Sequence, residues 1–349
     1  MIQLIYYFLI SNWLIIIFIY IVLRIIKKVY FYGAFTPLKK SMEGKIIIVT
    51  GSSAGIGKET ALKLIKDGAH VIFACRHKEK TLEVIKQIEQ KIRHQAHFIE
   101  LNLSSFNSVN NFIKEFNSKY EKLDILINNA GAFPCEFSIT EDKIEEIIQG
   151  NLLSQMVLTL SLSDKFDKNE GLIINVASFV YIHSDLTLKM IENYAKDSCF
   201  KLIESKYYAN IINKFLLYSN TKIGIIFFSS YLAEYLEQNY PHIKTTSVNP
   251  GIVYTEFTRF IWKHNIFRYI YGIFFPLHIY ISKPAFSGAQ QILHLCYSEL
   301  KQIVSGGYYS DCRIKKVSQK AMDIKVRNAY VKYCMNLINS YPAFNSLKM

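Results

Sequence analysis

The residues with the clearest chemical potential are a tyrosine and a lysine. Tyr218 and Lys222 lie four positions apart in the sequence YSNTK, so a helix would place both side chains on one face. A phenol has an ordinary pKa near 10 and is a poor base at neutral pH. An ammonium about 4 Å away would favour the phenolate by roughly 4 kcal/mol at an effective dielectric of about 20. The pair is therefore a candidate acid/base catalyst.

Short apolar runs elsewhere in the chain end in polar residues. The run 171–176 is followed by Ala177 and Ser178, and the run 123–127 is followed by the sequence NNAG, which contains Asn129. Open α/β sheets bind ligands at the carboxyl ends of their strands. These groups are therefore expected at the same edge as Tyr218.

The first apolar run leads into a glycine-rich loop. Residues 50–57 read TGSSAGIG and continue directly into a stretch with helical spacing. Glycines let the backbone approach a pyrophosphate, and the free N–H groups at a helix start bind phosphate. The pattern predicts a dinucleotide site that includes Gly51, Ser53, Gly55, Ile56 and Gly57.

The end of the second predicted strand bears on the choice of dinucleotide. An acidic residue there would bind a ribose 2′-hydroxyl, but Arg76 stands in its place. Arginine favours a 2′-phosphate and hence NADP. Alternatively, Arg76 is an ordinary surface residue after a strand. Lys78 and Lys80 keep this patch positive on either interpretation.

The elements that must position these residues alternate in type. Apolar, β-rich runs are each followed by a longer stretch with helical spacing, and the predicted strands are 45–50, 70–74, 97–101, 123–127, 171–176, 244–248 and 306–309. This alternation predicts one α/β domain of the Rossmann type, a doubly wound parallel sheet with helices on both faces. A chain of 349 residues is long enough to bury a continuous core for it.

The motifs together resemble a known family. TGxxxGxG, NNAG, the strand-end serine, YxxxK and PG occur in this order between Lys45 and Thr255, and this set resembles the short-chain dehydrogenases/reductases. The sequences ACR after the second strand, TED before the helix with Asn151, and SGGYYSDC near the end are similar to the retinol dehydrogenase branch.

The resemblance implies a role for each matching residue. Tyr218 would exchange the proton with an alcohol or carbonyl oxygen, and Ser178 would hydrogen-bond that oxygen. Lys222 would hold the nicotinamide ribose and lower the pKa of Tyr218. Asn151 would support a water relay.

Further positions would contact the cofactor. Asn102 stands where the family has an aspartate beside the adenine, and Asn129 would line the cofactor cleft. Val253 through its backbone and Thr255 through its hydroxyl would hold the carboxamide end. The implied activity is hydride transfer between NADP(H) and a lipophilic alcohol, aldehyde or ketone, such as a retinoid, a steroid or a fatty acyl ketone.

The N-terminus predicts a membrane anchor. Leu4 to Leu23 is a run of 20 uncharged residues, which as a helix would cover the roughly 30 Å apolar core of a bilayer. A cleavable signal peptide would carry basic residues before the run. The segment 24–45 contains six basic residues and one acidic residue. By the positive-inside rule, the body is expected on the cytoplasmic side of the membrane. The expected protein spans the membrane once, and the expected membrane is that of the endoplasmic reticulum.

The expected organisation has four parts. Residues 1–28 form the anchor and its basic flank, 29–44 a linker, 45–335 the catalytic domain, and 336–349 a tail. Ser178 and Tyr218 are 40 residues apart, a longer spacing than is usual in the family that the chain resembles. The segment 179–217 is therefore an insertion, either a helical cover for the substrate or a surface addition without a role. Residues 256–285 are expected to form a substrate lid. Its aromatic stretch 269–282 is either a buried core helix or an interfacial membrane contact.

Charge and cysteine content narrow the partners. Lys and Arg number 41 against 28 Asp and Glu, for a net charge of +13. The excess lies beside apolar or terminal stretches, which favours a membrane surface over nucleic acid. For the C-terminal basic segment, an ordinary solvated face is the alternative. The six cysteines lack metal-ligand spacing and are expected as reduced thiols without a metal site.

Two classes of function remain open from the sequence. The first is the membrane-anchored oxidoreductase, with or without assembly into homo-oligomers. The second is a membrane protein that binds NADP(H) without turnover. The presence of all four expected catalytic residues, Asn151, Ser178, Tyr218 and Lys222, disfavours it.

Overall fold

A parallel sheet organises the molecule. The computed structural model describes residues 13–28, 32–133, 137–196, 211–254, 280 and 282–349. Within them the sheet has eight strands in the order β3-β2-β1-β4-β5-β6-β7-β8. The strands are β1 (Ile46–Thr50), β2 (His70–Cys75), β3 (Ala96–Glu100), β4 (Ile125–Asn128), β5 (Gly171–Val176), β6 (Ile243–Asn249), β7 (Tyr308–Ser310) and β8 (Arg313–Lys315). The first seven run parallel, and β8 is antiparallel to β7.

The predicted doubly wound sheet is confirmed, and each of the seven predicted strands is found within about two residues of its expected position. The sequence analysis missed β8. Its three residues are all exposed, so they carry no alternation of apolar and polar positions. The turn before it, Asp311 and Cys312, has positive φ at both residues (52° and 54°), as a two-residue hairpin turn requires.

Helices cover both faces of the sheet. They are α1 (Trp13–Ile26), α2 (Gly55–Lys66), α3 (Lys78–Lys86), α4 (Phe106–Lys119), α5 (Glu146–Ile148), α6 (Ser154–Ser161), α7 (Leu188–Lys196), α8 (Ile211–Asn239), α9 (Ala285–Tyr297) and α10 (Ile324–Asn339). A π-helical stretch, Gln149–Leu153, joins α5 to α6.

The sheet separates two apolar cores. One core packs α4, α6, α8 and α10 against one face, with Phe106, Phe112 and Phe227 at its centre. The other packs α2, α3 and α9 against the opposite face, around Leu64 and Ile292. Burial on both faces explains why the strands are continuous apolar runs rather than alternating ones.

The long helix α8 carries the Tyr218–Lys222 pair across the first core. A Cβ atom on Gly224 would lie 2.8 Å from both Leu152 Cδ2 and Tyr330 Cε1. Glycine therefore lets α8 approach the segment after α5 and the C-terminal helix closely. This packing fixes the height of α8 against the sheet, and with it the two candidate catalytic groups.

The two ends of the chain differ in part from the expectation. Along the described segments, no helix has both the length and the apolar character needed to cross a membrane. The predicted span begins at residue 4, and its part before residue 13 lies outside the described residues. At the other end, the tail expected from residue 336 overlaps α10. Phe344 is buried against the rings of Phe106 and Tyr341.

The insertion and the lid are described only in part. Residues 179–183 form a 3-10 helix, α7 follows, and residues 197–210 lie outside the described residues. Ile191 of α7 is buried in the first core, so this part of the insertion packs with the body. Most of the expected lid, 256–279 and 281, is likewise outside. Of the cysteines, Cys135 and Cys199 are outside, and the four described ones are free thiols.

Candidate active site

The polar strand-end residues gather at one edge, as predicted. Asn128 of β4 pairs in register with Asn175 of β5, and Val176 of β5 pairs with Val248 of β6. The residues that follow these strands therefore emerge side by side. This edge is where open α/β sheets bind their ligands.

The glycine-rich loop between β1 and α2 is shaped as a phosphate cradle. A Cβ atom on Gly57 would lie 2.6 Å from the Gly51 carbonyl oxygen and 2.4 Å from Asn129 Nδ2. Gly51 and Gly55 have positive φ, 66° and 57°, which glycine adopts without strain. A side chain at Gly57 would therefore collide with the loop, and the backbone at Gly51 and Gly55 favours glycine.

The start of α2 is available to an anion. In this described segment Ala54 is the N-cap residue, and no side chain caps the first turn. Its N–H groups and the positive end of the helix dipole therefore suit a phosphate. Ser53 and Ile56 are half-buried on the same loop. The loop fits the pyrophosphate of a dinucleotide.

Asn129, which is expected to line the cofactor cleft, is half-buried and hydrogen-bonds to the end of β1. Its Nδ2 donates to the Thr50 carbonyl oxygen at 2.9 Å, and its backbone N donates to Thr50 Oγ1 at 2.9 Å. The side-chain amide thus supports the glycine loop from behind. Thr50, which the sequence analysis did not single out, accepts a second hydrogen bond from Ala130 N. Thr50 and Asn129 together join β1 to the end of β4.

The two residues expected near the adenosine end lie at neighbouring strand ends. Arg76 follows β2 and is exposed, and its Nε donates to His77 Nε2 at 3.2 Å. Asn102 follows β3, and its Oδ1 accepts from Ser104 N at 3.1 Å. This oxygen shapes a local turn before α4. Of the two residues only Arg76 carries a charge, and it is exposed to solvent.

Tyr218 and Lys222 are both buried on α8, with 8% and 3% of their surfaces exposed. Lys222 Nζ lies 5.4 Å from the centre of the Tyr218 ring and donates to the Val176 carbonyl oxygen at 3.0 Å. The helix therefore brings the pair together as predicted. The lysine also reaches the end of β5.

The electrostatics of the pair differ from the sequence expectation. Burial raises the pKa of Tyr218 well above its ordinary value, although the lysine was expected to lower it. Burial also lowers the pKa of Lys222 to about 8. The reason is that burial removes both groups from water, and this desolvation penalises the charged form of each.

Asn151 lies in the π-helical stretch, a local widening that is common at functional sites. Its Oδ1 accepts from Ala132 N and its Nδ2 donates to the Ala132 carbonyl oxygen, both at 2.8 Å. A Cβ atom on Gly131 would lie 3.6 Å from Asn151 Oδ1 and 3.5 Å from Lys222 Nζ. Asn151, Lys222 and the NNAG loop thus converge.

Ser178 follows β5 and caps the 3-10 helix 179–183, where its Oγ accepts from Val180 N at 3.5 Å. Val180 belongs to a small apolar cluster with Phe133, Phe215 and Tyr218. The Phe133 and Tyr218 rings lie 5.5 Å apart. Ser178 therefore lies two residues before Val180, which packs in the same cluster as Tyr218. The fold brings this segment to Tyr218 although Ser178 and Tyr218 are 40 residues apart in the sequence.

Asn220 explains how that separation is bridged. Its Oδ1 accepts from Ser184 Oγ at 2.7 Å and from Asp185 N at 3.1 Å, and its Nδ2 donates to Asp185 Oδ1 at 2.7 Å. It ties the segment after Ser178 to α8. The sequence analysis treated Asn220 only as a spacer within YSNTK. An amide in the middle of a buried helix was the available signal.

The residues expected to bind the carboxamide end of the nicotinamide are described only in part. Val253 forms a parallel bridge with Lys283, and a Cβ atom on Gly288 would lie 2.8 Å from Val253 Cγ2 and 3.1 Å from Ile56 Cγ1. The loop after β6 thus packs over the start of α2, where the phosphates would bind. Thr255 lies outside the described residues.

Comparison with known proteins supports one family. Residues 45–186 match the family model described as short chain dehydrogenase. The chain is 34% identical over 283 residues to retinol dehydrogenase 11 of Homo sapiens, covering 80% of this chain and 81% of that protein.

Solved structures share the fold. The 3-ketoacyl-(acyl-carrier-protein) reductase of Brucella melitensis, complexed with NADH, superposes with a TM-score of 0.54 at 22% identity and covers 77% of this chain and 96% of its own. RhlG of Pseudomonas aeruginosa, in a complex with NADP, gives a TM-score of 0.53 at 20% identity and covers 77% and 94%. The chain belongs to the short-chain dehydrogenase/reductase family and resembles its retinol dehydrogenase branch.

Proposed function

We propose that the protein is an NADP(H)-dependent oxidoreductase that interconverts a lipophilic alcohol and its aldehyde or ketone at a membrane surface. The observation that carries this proposal is the convergence of Tyr218, Lys222 and Asn151 beside the glycine-rich loop. The cofactor, when bound, supplies or accepts the hydride.

Tyr218 is the proposed acid/base. In reduction it donates its phenolic proton to the substrate oxygen, and in oxidation it accepts that proton. The raised pKa of its buried phenol keeps the proton on the hydroxyl, so the proton needed for reduction is present. Ser178 would hydrogen-bond the same substrate oxygen and orient it.

Lys222 would bind the ribose hydroxyls next to the nicotinamide and favour transient negative charge on Tyr218. Asn151 is already held by both polar groups of the Ala132 backbone. It would keep the π-helical stretch open and hold water that relays protons towards the ammonium.

The preference for NADP rests on Arg76. The position after β2 carries no acid that would repel a 2′-phosphate, and the guanidinium is exposed. Lys78 and Lys80 add charge to the same helix start. A phosphate oxygen accepts strong charge-assisted hydrogen bonds from arginine.

An apolar substrate fits the wall beside Tyr218. Phe133 and Val180 are about nine-tenths buried there, and Phe215 packs against them. The His183 and Phe215 rings lie 5.4 Å apart and extend the aromatic surface. A retinoid is the first substrate class to test, given the similarity to retinol dehydrogenase 11, with steroids and fatty acyl ketones as alternatives on the same scaffold.

Membrane association is proposed from the N-terminal segment. The described helix α1 consists almost entirely of apolar residues, and Phe18 and Tyr20 are 66% and 59% exposed. Arg24, Lys27 and Lys28 follow at its end. Such a segment suits insertion into lipid with the basic residues at the cytoplasmic headgroups.

The test is a substrate screen with the full-length protein in detergent. Oxidation of NADPH is followed with all-trans retinal, a keto steroid and a long-chain aldehyde, and with the corresponding alcohols and NADP⁺ in the reverse direction. Turnover of any of these above that of Tyr218→Phe supports the proposal. Cofactor binding with no turnover of any carbonyl would support the competing function, a nucleotide-binding membrane protein.

A further inference from the structure

Lys283 is a buried lysine with no role in the proposed reaction. Only 4% of its surface is exposed. Its backbone N donates to the Ile252 carbonyl oxygen and its carbonyl oxygen accepts from Tyr254 N, both at 2.9 Å. Lys283 thus pairs with both sides of Val253, the residue proposed to bind the carboxamide end of the nicotinamide.

The side chain of Lys283 also covers this loop. A Cβ atom on Gly251 would lie 2.7 Å from Lys283 Cε and 2.8 Å from Nζ. Gly251 has a φ of 82°, so the loop makes its turn directly against the lysine. The course of the loop from Pro250 to Val253 therefore depends on where this side chain lies.

The linker from the N-terminal helix reaches the same ammonium. A Cβ atom on Gly33 would lie 3.0 Å from Lys283 Nζ and 3.0 Å from Asp311 Oδ1. Asp311 favours the charged form of Lys283, while burial lowers its pKa. Gly33 therefore lies against a buried lysine and the carboxylate that favours its charge.

Neighbouring contacts hold the linker in this position. Gln291 of α9 donates from Nε2 to the Ala34 carbonyl oxygen at 3.4 Å and accepts from Cys312 N at 2.6 Å. Thr36 Oγ1 lies 3.2 Å from His294 Nδ1 on the same helix. The linker is thus fixed to α9 on one side and lies against Lys283 on the other.

We propose that Lys283 is a positioning residue that holds the Gly251–Val253 loop in the shape that binds the nicotinamide end of the cofactor. The linker, through Gly33, keeps the Lys283 side chain over that loop. The state of the segment that joins the N-terminal helix to the body therefore affects cofactor affinity. This inference rests on the proposed dinucleotide-dependent function.

Substitution of Lys283 tests the first part. In the full-length protein, Lys283→Met keeps a side chain of similar length and removes the ammonium. We expect the Kd for NADPH, measured by calorimetry, to rise about tenfold, the usual size of coupling between neighbouring sites. The KM for NADPH should rise with it, while kcat at saturating cofactor is retained. Lys283→Arg should recover part of the affinity.

A matched lysine controls for general destabilisation. Lys244 donates from Nζ to the Ile303 carbonyl oxygen at 2.7 Å, but it lies near the start of β6, at the opposite end from the loop. Lys244→Met should lower Tm without changing the Kd. A Lys283→Met protein that loses Tm but binds NADPH like the wild type would overturn the proposal, because the lysine would then be structural only.

Two glycines test the part played by the linker. Gly33 and Gly44 have nearly the same φ, 71° and 72°, so alanine strains both backbones equally. A Cβ atom on Gly44 meets nothing within 4 Å, whereas one on Gly33 meets Lys283 and Asp311. We expect Gly33→Ala to raise the Kd for NADPH and Gly44→Ala to leave it unchanged. The effect of Gly33→Ala should shrink in the Lys283→Met background.

Equal Kd values for the two alanine variants would overturn the role of the linker. A wild-type protein that binds neither NADPH nor NADH would refute the proposed function, and this inference would fall with it. A wild type that binds NADPH, together with Lys283→Met at the same Kd, would refute this inference alone.

Discussion

Lys222 donates a hydrogen bond from Nζ to the carbonyl oxygen of Val176 at 3.0 Å, so α8 is tied to the end of β5 by its own lysine. The same ammonium lies 3.5 Å from where a Cβ atom on Gly131 would stand, which places it beside the loop after β4 as well. It is thus fixed at the point where two strand ends and α8 meet. The protonation state of Lys222 should therefore affect the activity of the site.

We expect kcat/KM to fall as pH rises through about 8. Burial lowers the pKa of Lys222 to about 8, so the ammonium loses its proton at a mildly alkaline pH. The neutral amine would bind the ribose hydroxyls less well and would no longer favour negative charge on Tyr218. A pH profile of kcat/KM for NADPH at saturating substrate measures this limb.

The stability of the cofactor-free protein should change with pH in the opposite direction. The folded-state pKa of Lys222 lies below its unfolded value, so the unfolded chain binds more protons between these two pKa values. The contribution of this group to the free energy of unfolding therefore rises as pH increases through about 8.

Lys222→Arg keeps its charge at all these pH values. An active Lys222→Arg protein that retained the same alkaline limb would contradict the assignment to Lys222.

Tyr218→Phe should abolish turnover and leave cofactor binding intact. The substitution removes only the hydroxyl, while the Phe133 ring beside it and the glycine-rich loop are unchanged. Loss of a general acid/base lowers kcat by about a hundredfold or more. Parallel measurement of kcat and of the Kd for NADPH separates the two effects. A variant that keeps more than about a tenth of the wild-type kcat would exclude Tyr218 as the acid/base.

Arg76→Ala should reduce a preference for NADPH over NADH. A charge-assisted contact to the 2′-phosphate contributes about 1.5–3 kcal/mol, or roughly ten- to a hundredfold in affinity. Because Arg76 is exposed and its Nε donates to the neighbouring His77, its removal should not disturb the fold. The ratio of kcat/KM for the two cofactors is the measurement. Equal values in the unmodified protein would show that Arg76 does not select the cofactor.

The sequence predicted the sheet and the site motifs well because both are local patterns. Strands buried on both faces are continuous apolar runs, and β1 and β5 were found almost residue for residue. The meeting of Tyr218 with Lys222 follows from helical spacing alone. The glycine-rich loop follows from the need for backbone without side chains at Gly51 and Gly57.

Contacts between distant parts of the chain were not predictable in this way. The hydrogen bonds from Asn129 to Thr50 join the end of β4 to the end of β1, and neither motif alone predicts them. The pKa of Tyr218 was expected to fall, but the sequence does not reveal how completely both members of the pair are buried. Lys283 gave no signal, because its partners Gly33, Gly251 and Asp311 come from three separate segments.

The membrane prediction rests on the exposed apolar surface of α1 and its basic flank. The helix has 14 described residues, with side chains such as Ile15 and Phe18 largely exposed. Transfer of apolar surface from water into lipid is favourable by about 25 cal/mol for each Å². Burial of these side chains in a bilayer would therefore favour insertion strongly. The Tyr280 hydroxyl donates to the Leu23 carbonyl oxygen at 2.9 Å, so the end of the expected lid lies next to this helix.

We therefore expect alkaline carbonate to leave the full-length protein in the membrane fraction, and protease added outside sealed microsomes to digest its body. Removal of residues 1–28 should release it from integral association, because the apolar run and its first basic residues are lost. The aromatic stretch 269–282 and its basic neighbours should still bind anionic vesicles in low salt and release them in high salt, since screening weakens such attraction. Carbonate extraction of the full-length protein would contradict the anchor. A truncated protein that ignored anionic vesicles even in low salt would restrict membrane contact to the N-terminal segment.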